Sequence, residues 1–124
     1  MADTIARDET HRLIASDKVE GTNVYNADNE KLGSIRNVMI DKRSGQAEHA
    51  VLEFGGIFGL GSDHYPIPWD MLTYDTDKNG YIVSLTKEQV EGAPHYAAGS
   101  APDYDDAYGR GVYSHYGLTY PLVR

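Results

Sequence analysis

Between Asp17 and Pro94 the chain is a succession of short β-type runs, none long enough for an ordinary helix and each cut off by turn residues. Val24-Tyr25 meets the turn-rich Asn26-Ala27-Asp28-Asn29-Glu30. Leu32, Ile35, Val38 and Ile40 lead into Asp41, and Lys42-Arg43-Ser44-Gly45 connects them to Ala50-Val51-Leu52-Glu53-Phe54. Two β-branched runs joined so closely predict an antiparallel hairpin. Met71-Leu72-Thr73-Tyr74 and Tyr81-Ile82-Val83-Ser84-Leu85 flank a second one, because Asn79-Gly80 accepts the left-handed backbone of a tight turn. Tyr65-Pro66-Ile67-Pro68-Trp69 carries two prolines without ladder donors, which makes it an edge strand or an irregular stretch.

The elements after these strands are helical. Thr86 and Gln89 have capping-box spacing and open a helix of one or two turns near 87–91 that Gly92 and Pro94 stop. Residues 95–124 form a tyrosine-rich tail holding six of the ten tyrosines. In it Tyr104, Tyr108, Val112 and Tyr116 recur at every fourth position after Pro102-Asp103, with Gly117 at a helix-ending position. Gly109 and Gly111 each weaken such a helix by roughly 1 kcal/mol relative to alanine, so it is expected to form on docking. Its landing surface is open between this chain's own barrel and a second subunit. The expected architecture is mainly β: a small antiparallel β-barrel over residues 17–94, an N-terminal arm at 1–16, the short helix and the partly helical tail.

Composition limits the function. A chain of 124 residues suits one domain with tails. The net charge of -8 makes direct nucleic-acid binding unfavourable, since such binding draws its free energy from cations that displace counterions. With no cysteine there is no disulfide, thiolate metal site or cysteine nucleophile. No apolar run has the length of a membrane span or a signal-peptide core, which predicts a cytoplasmic protein.

Gly55-Gly56-Ile57-Phe58-Gly59-Leu60-Gly61 follows a strand, as a phosphate loop would. Tyr65-Pro66-Ile67-Pro68 comes next and cannot begin the long helix that such a loop needs, and the phosphate-binding lysine is absent. These glycines turn a chain. Asp75, Asp77 and Asn79, with Gly80 and Ile82, match the first positions of a calcium loop. Thr86 stands where the bidentate glutamate belongs, and the flanks are strands. A turn whose side chains bond their own backbone accounts for the same residues. Asp63-His64, His49, His95 and His115 have no spacing that names a reaction. No catalytic residue, cofactor or metal is therefore expected.

The blocks Val24 to Gly56, Tyr65 to Asp75 and Tyr81 to Pro94 together resemble the PRC-barrel domain family. That family is shared by the H subunit of photosynthetic reaction centres, a ribosome maturation factor and many stand-alone bacterial proteins. The resemblance implies a docking module without catalytic residues. The expected function is a non-enzymatic interaction or assembly protein that associates with itself, as a homodimer or a higher oligomer, and docks on a partner protein. Its candidate contacts are Ile57, Phe58, Leu60, Trp69, Tyr108, Tyr113 and Tyr116. The alternative is a calcium or small-ligand sensor using Asp75, Asp77 and Asn79.

Overall fold

The computed structural model describes residues 12–54 and 63–121. Its strands are β1 (Asn23–Tyr25), β2 (Lys31–Ile40), β3 (Ala47–Phe54), β4 (Asp63–Pro68), β5 (Thr73–Asp75), β6 (Gly80–Ile82) and β7 (Tyr96–Ala97). The helices are α1 (Ser16–Val19), α2 (Lys87–Glu91) and α3 (Asp106–His115), with a 3₁₀ turn at Trp69–Met71.

Side-chain capture of the backbone shapes the turns. Asn26 Oδ1 accepts from the amides of Asp28 and Glu30 between β1 and β2, both at 2.9 Å. Asp41 Oδ1 accepts from Arg43 and Ser44 between β2 and β3, both at 2.9 Å. Asp75 Oδ1 accepts from Asp77 at 2.8 Å and Lys78 at 3.2 Å between β5 and β6. Each of these three turns thus opens on an Asx residue that satisfies turn amides with no partner in the ladder.

All the strands join one sheet, ordered β5-β6-β1-β2-β3-β4-β7. The sheet does not close into a barrel: β5 and β7 are its two ends and are not paired with each other. Nor is it wholly antiparallel, because Val24 and Tyr25 of β1 pair in parallel with Tyr81 and Ile82 of β6. The β5–β6 hairpin is local, but its second strand lies beside β1, a pairing that no turn specifies. The prolines of β4 behave as expected. Only Asp63 and His64 of this strand pair outward, with β7, while Pro66 and Pro68 extend past it.

The sheet is strongly rolled. Trp69, directly after β4, makes an edge contact with Tyr81 of β6 at 5.6 Å between ring centroids. At the usual spacing of about 4.8 Å per strand, a flat sheet would hold these strands about 19 Å apart. The concave face collects Val24, Leu32, Ile35, Ala50, Leu52, Tyr65, Ile67 and Tyr81, joined by Val19 of α1, Val83, Val90 of α2 and Ala93. Burial of side chains like these contributes roughly 1.5–3 kcal/mol each. Val90 reaches the core because α2 has the expected capping box: Thr86 Oγ1 accepts from the Gln89 amide, and Gln89 Oε1 accepts from the Thr86 amide.

On β3 the four successive residues His49, Ala50, Val51 and Leu52 are all buried, so both faces of this strand are covered. Ala50 and Leu52 face the core opposite Ile67 and Tyr65. His49 and Val51 lie on the outer face opposite Pro68 and Pro66. Helix α3 covers that face, with Val112 and Tyr113 buried. The helix starts later than its periodicity suggests, at Asp106, because Asp105 caps it by accepting from the Tyr108 amide at 2.9 Å; Tyr104 therefore lies outside it. Gly117, at φ +74°, ends it as expected. Its amide donates to Ser114 and that of Leu118 to Tyr113, the paired closure that spares the last carbonyls.

Candidate functional site: a tyrosine-lined cleft on the outer face

Strand β3 sends Glu48 and His49 to the place where the tail lands. His49 is 1% exposed, and its ring meets the edges of Tyr104 at 5.6 Å and Tyr113 at 5.4 Å. The Tyr113 hydroxyl donates to the Glu48 carbonyl at 2.6 Å, and the Tyr120 hydroxyl donates to Glu48 Oε2, also at 2.6 Å. Glu48 is thus gripped twice, through backbone and carboxylate. Tyr120 reaches it by laying its ring across α3 at Gly109, where a Cβ would run into that ring.

A second row of tyrosines continues along β4. Tyr96 and Tyr104 share a hydroxyl hydrogen bond of 2.7 Å, Tyr96 packs edge-on against His64, and Tyr108 packs against Tyr104 at 5.0 Å. His64 Nε2 lies 3.6 Å from Glu53 Oε2 across the β3–β4 pair. Burial, then the hydroxyl hydrogen bond shared with Tyr96, pushes the Tyr104 phenol far above its ordinary range. Burial first, then the neighbouring Tyr96, pushes Tyr108 up to about 12; burial first, then Tyr65, does the same to Tyr116. These phenols are neutral hydrogen-bonding and packing groups, with no activated phenolate among them.

Beside this packing lies a cleft of about 370 Å³. One wall is the β2–β3 turn with Lys42 and Arg43, the other is the tail with Tyr104, Asp106 and Tyr120, and Glu48 and His49 form part of its lining. The cleft's charged lining is two cations, Lys42 and Arg43, and three acids, Asp41, Glu48 and Asp106. Among the described residues no group of three or more His, Asp or Glu side chains is placed to hold a metal ion.

The residues expected to make contacts are dispersed. Trp69 is half-buried against the core. Tyr108 and Tyr116 are half-buried, and the hydroxyl of each is enclosed without a hydrogen-bond partner. Tyr113 is buried under its own helix. Ile57, Phe58 and Leu60 lie outside the described residues. Asp75 spends a carboxylate oxygen on its own turn, Asp77 is exposed, and Asn79 takes the left-handed conformation at φ 49°. His49 was not singled out from sequence. Its signal was its place directly before Ala50-Val51-Leu52, three successive apolar positions, too many for a strand with one exposed face.

The PRC-barrel domain profile matches residues 11–90. The chain belongs to the PRC-barrel family. This PRC-barrel protein is 26% identical over 81 residues to an uncharacterized protein of Deinococcus radiodurans, an alignment covering 65% of this chain and 28% of the relative. Among solved structures it is similar to a 16S ribosomal RNA processing protein, RimM, of Pseudomonas aeruginosa. The TM-score is 0.41 at 15% identity, over 60% of this chain and 45% of that one. The chain thus spans less than half the length of either protein. The PRC-barrel match ends at residue 90, so β7, the tyrosine row and α3 all lie beyond it. Among the described residues no helix is long and apolar enough to cross a membrane.

Proposed function

We propose that this PRC-barrel protein is a non-catalytic assembly module that associates with itself and docks on a partner protein. The observation that carries the reading is the division of labour between its side chains. The groups suited to chemistry are occupied in structure: Asn26, Asp41 and Asp75 in turns, His49 beneath tyrosines. Meanwhile Leu13, Ile14, Ile40 and Leu118 remain exposed, at 81%, 49%, 49% and 38%. Apolar surface left in water is what association removes.

The partner is a protein and not a nucleic acid, because the net charge of -8 opposes a polyphosphate. Trp69, Tyr108 and Tyr116 offer half-buried aromatic anchors of the kind that dominate interfaces. Ile57, Phe58 and Leu60 are proposed as further contacts on their sequence alone. Tyr113 reaches a partner only when the tail lifts.

Native mass measured over a range of protein concentrations tests self-association, with Tyr108→Asp and Tyr116→Asp as variants. A mass above that of the monomer, lost in either variant, supports the reading. A monomer at every concentration removes self-association. Gentle cross-linking in the source cells, with those variants as controls, tests the partner: defined proteins recovered by the parent and lost by the variants support docking.

A further inference from the structure

We propose that the segment from Tyr104 to Pro121 is exchanged between two copies of this chain, so that α3 of each covers the outer β3–β4 face of the other. This rests on the self-association reading and names its contact.

The contacts that hold the tail do not depend on which copy supplies it. The hydroxyls of Tyr113 and Tyr120 on Glu48, and the edges of Tyr104 and Tyr113 on His49, would form identically from a neighbour. The connection is also free to open. From Ala98 to Asp103 the hydrogen bond present is that of the Ser100 amide to the Ala97 carbonyl, which closes the turn at Gly99 (φ +83°) and ties nothing to the sheet. Residues 97–101 are exposed and Pro102 follows. The six residues 98–103 can extend to about 20–22 Å, about twice the spacing of two packed sheets.

Asp106 of the tail lines the same cleft as Lys42 and Arg43, and also as Asp41 and Glu48. The two cations offset part of the repulsion between two copies at -8 each. Ile40, 49% exposed, lines that cleft. Helix α3, with Gly109 and Gly111, is weak alone, so a lifted tail must find a face, its own or a neighbour's. Its own has the advantage of a high effective concentration, so exchange grows with protein concentration and whenever the connection is shortened.

The test refolds an equal mixture of ¹⁴N and ¹⁵N full-length chains at high concentration and separates species by native mass. The dimer is then treated with a carbodiimide, which joins lysine to carboxylate without a spacer. Links between Lys42 and Asp106 that combine the two isotopes are expected. A dimer without mixed links overturns exchange and leaves self-association standing; a monomer at all concentrations overturns both. As a second arm, deletion of residues 98–101 stops the tail from reaching its own sheet, and an obligate dimer is expected. A folded monomer from that variant also overturns the proposal.

Discussion

Trp69 holds its ring 5.6 Å from that of Tyr81, although three strands separate β4 from β6 in the sheet. Among the described residues no ladder pairs β5 with β7, and the Trp69–Tyr81 contact draws the β4 and β6 sides of the rolled sheet together instead. The rolled shape therefore depends on side chains at a place where a closed barrel would rely on its ladder.

Tyr81→Ala tests that dependence. Tyr81 is 6% exposed and touches both Trp69 and Tyr74, so its truncation costs about 3 kcal/mol. Trp69 is the one tryptophan, and its emission should shift to the red under native conditions as water reaches it. Chemical denaturation followed by circular dichroism, beside native fluorescence, measures both. Unchanged emission would mean that Tyr81 does not shield the seam.

What was legible in the sequence was local. Asn79-Gly80 marked its hairpin, although Asn79 alone is left-handed and Gly80 already pairs in β6; Thr86 and Gln89 named their capping box, and Gly117 named the end of α3, because each is decided by neighbouring residues. The parallel pairing of Val24 with Tyr81 was not legible, since it joins residues far apart in sequence and no turn specifies it. Nor was the burial of His49, which depends on where the tail docks. The spacing put Tyr104, Tyr108, Val112 and Tyr116 on one helical stripe, yet Tyr113, off that stripe, is buried beside Val112, while Tyr108 and Tyr116 stay half-buried.

The capping box is worth testing because α2 is only five residues long and still delivers Val90, 0% exposed, to the core. Thr86→Ala removes one of its two reciprocal bonds and should destabilise the protein by about 1 kcal/mol. Thr86→Ser, which retains the acceptor oxygen, should stay within a few tenths of the parent. Equal losses in the two variants, read from urea midpoints at constant slope, would show that the bond to Gln89 contributes nothing.

Alkaline pH should loosen the fold through its buried phenols. Tyrosines of the unfolded chain ionise near pH 10, while Tyr108 and Tyr116 in the folded chain hold their protons up to about 12. Above pH 10 the unfolded state binds fewer protons than the native state, so stability is complete below about 10 and falls as pH rises towards 12. Melting temperatures across that window, with phenolate absorbance recorded in parallel, should show the decline. Tyr116→Phe should reduce its slope. At neutral pH the same variant should stabilise the protein by about 1 kcal/mol, because the hydroxyl it removes is enclosed without a hydrogen-bond partner. A neutral-pH loss in Tyr116→Phe would contradict that environment.

Two glycines in one helix should respond with opposite signs. Both cost α3 about 1 kcal/mol of intrinsic stability against alanine, so propensity alone predicts that either substitution helps. A Cβ at Gly111 meets nothing within 4 Å, and Gly111→Ala should gain that amount. A Cβ at Gly109 falls on the ring of Tyr120, which the hydroxyl bond to Glu48 holds in place, so the ring must move and the bond must go. Such overpacking costs about 1–3 kcal/mol, and the difference between the two variants isolates it because the propensity gain is common to both. Denaturant midpoints measure that difference. Adding Tyr120→Ala to each variant should bring the two substitutions to the same value, since the ring is what distinguishes them. If Gly109→Ala still lagged behind once Tyr120 was removed, the cost would lie in the helix and not in the docking of the tail.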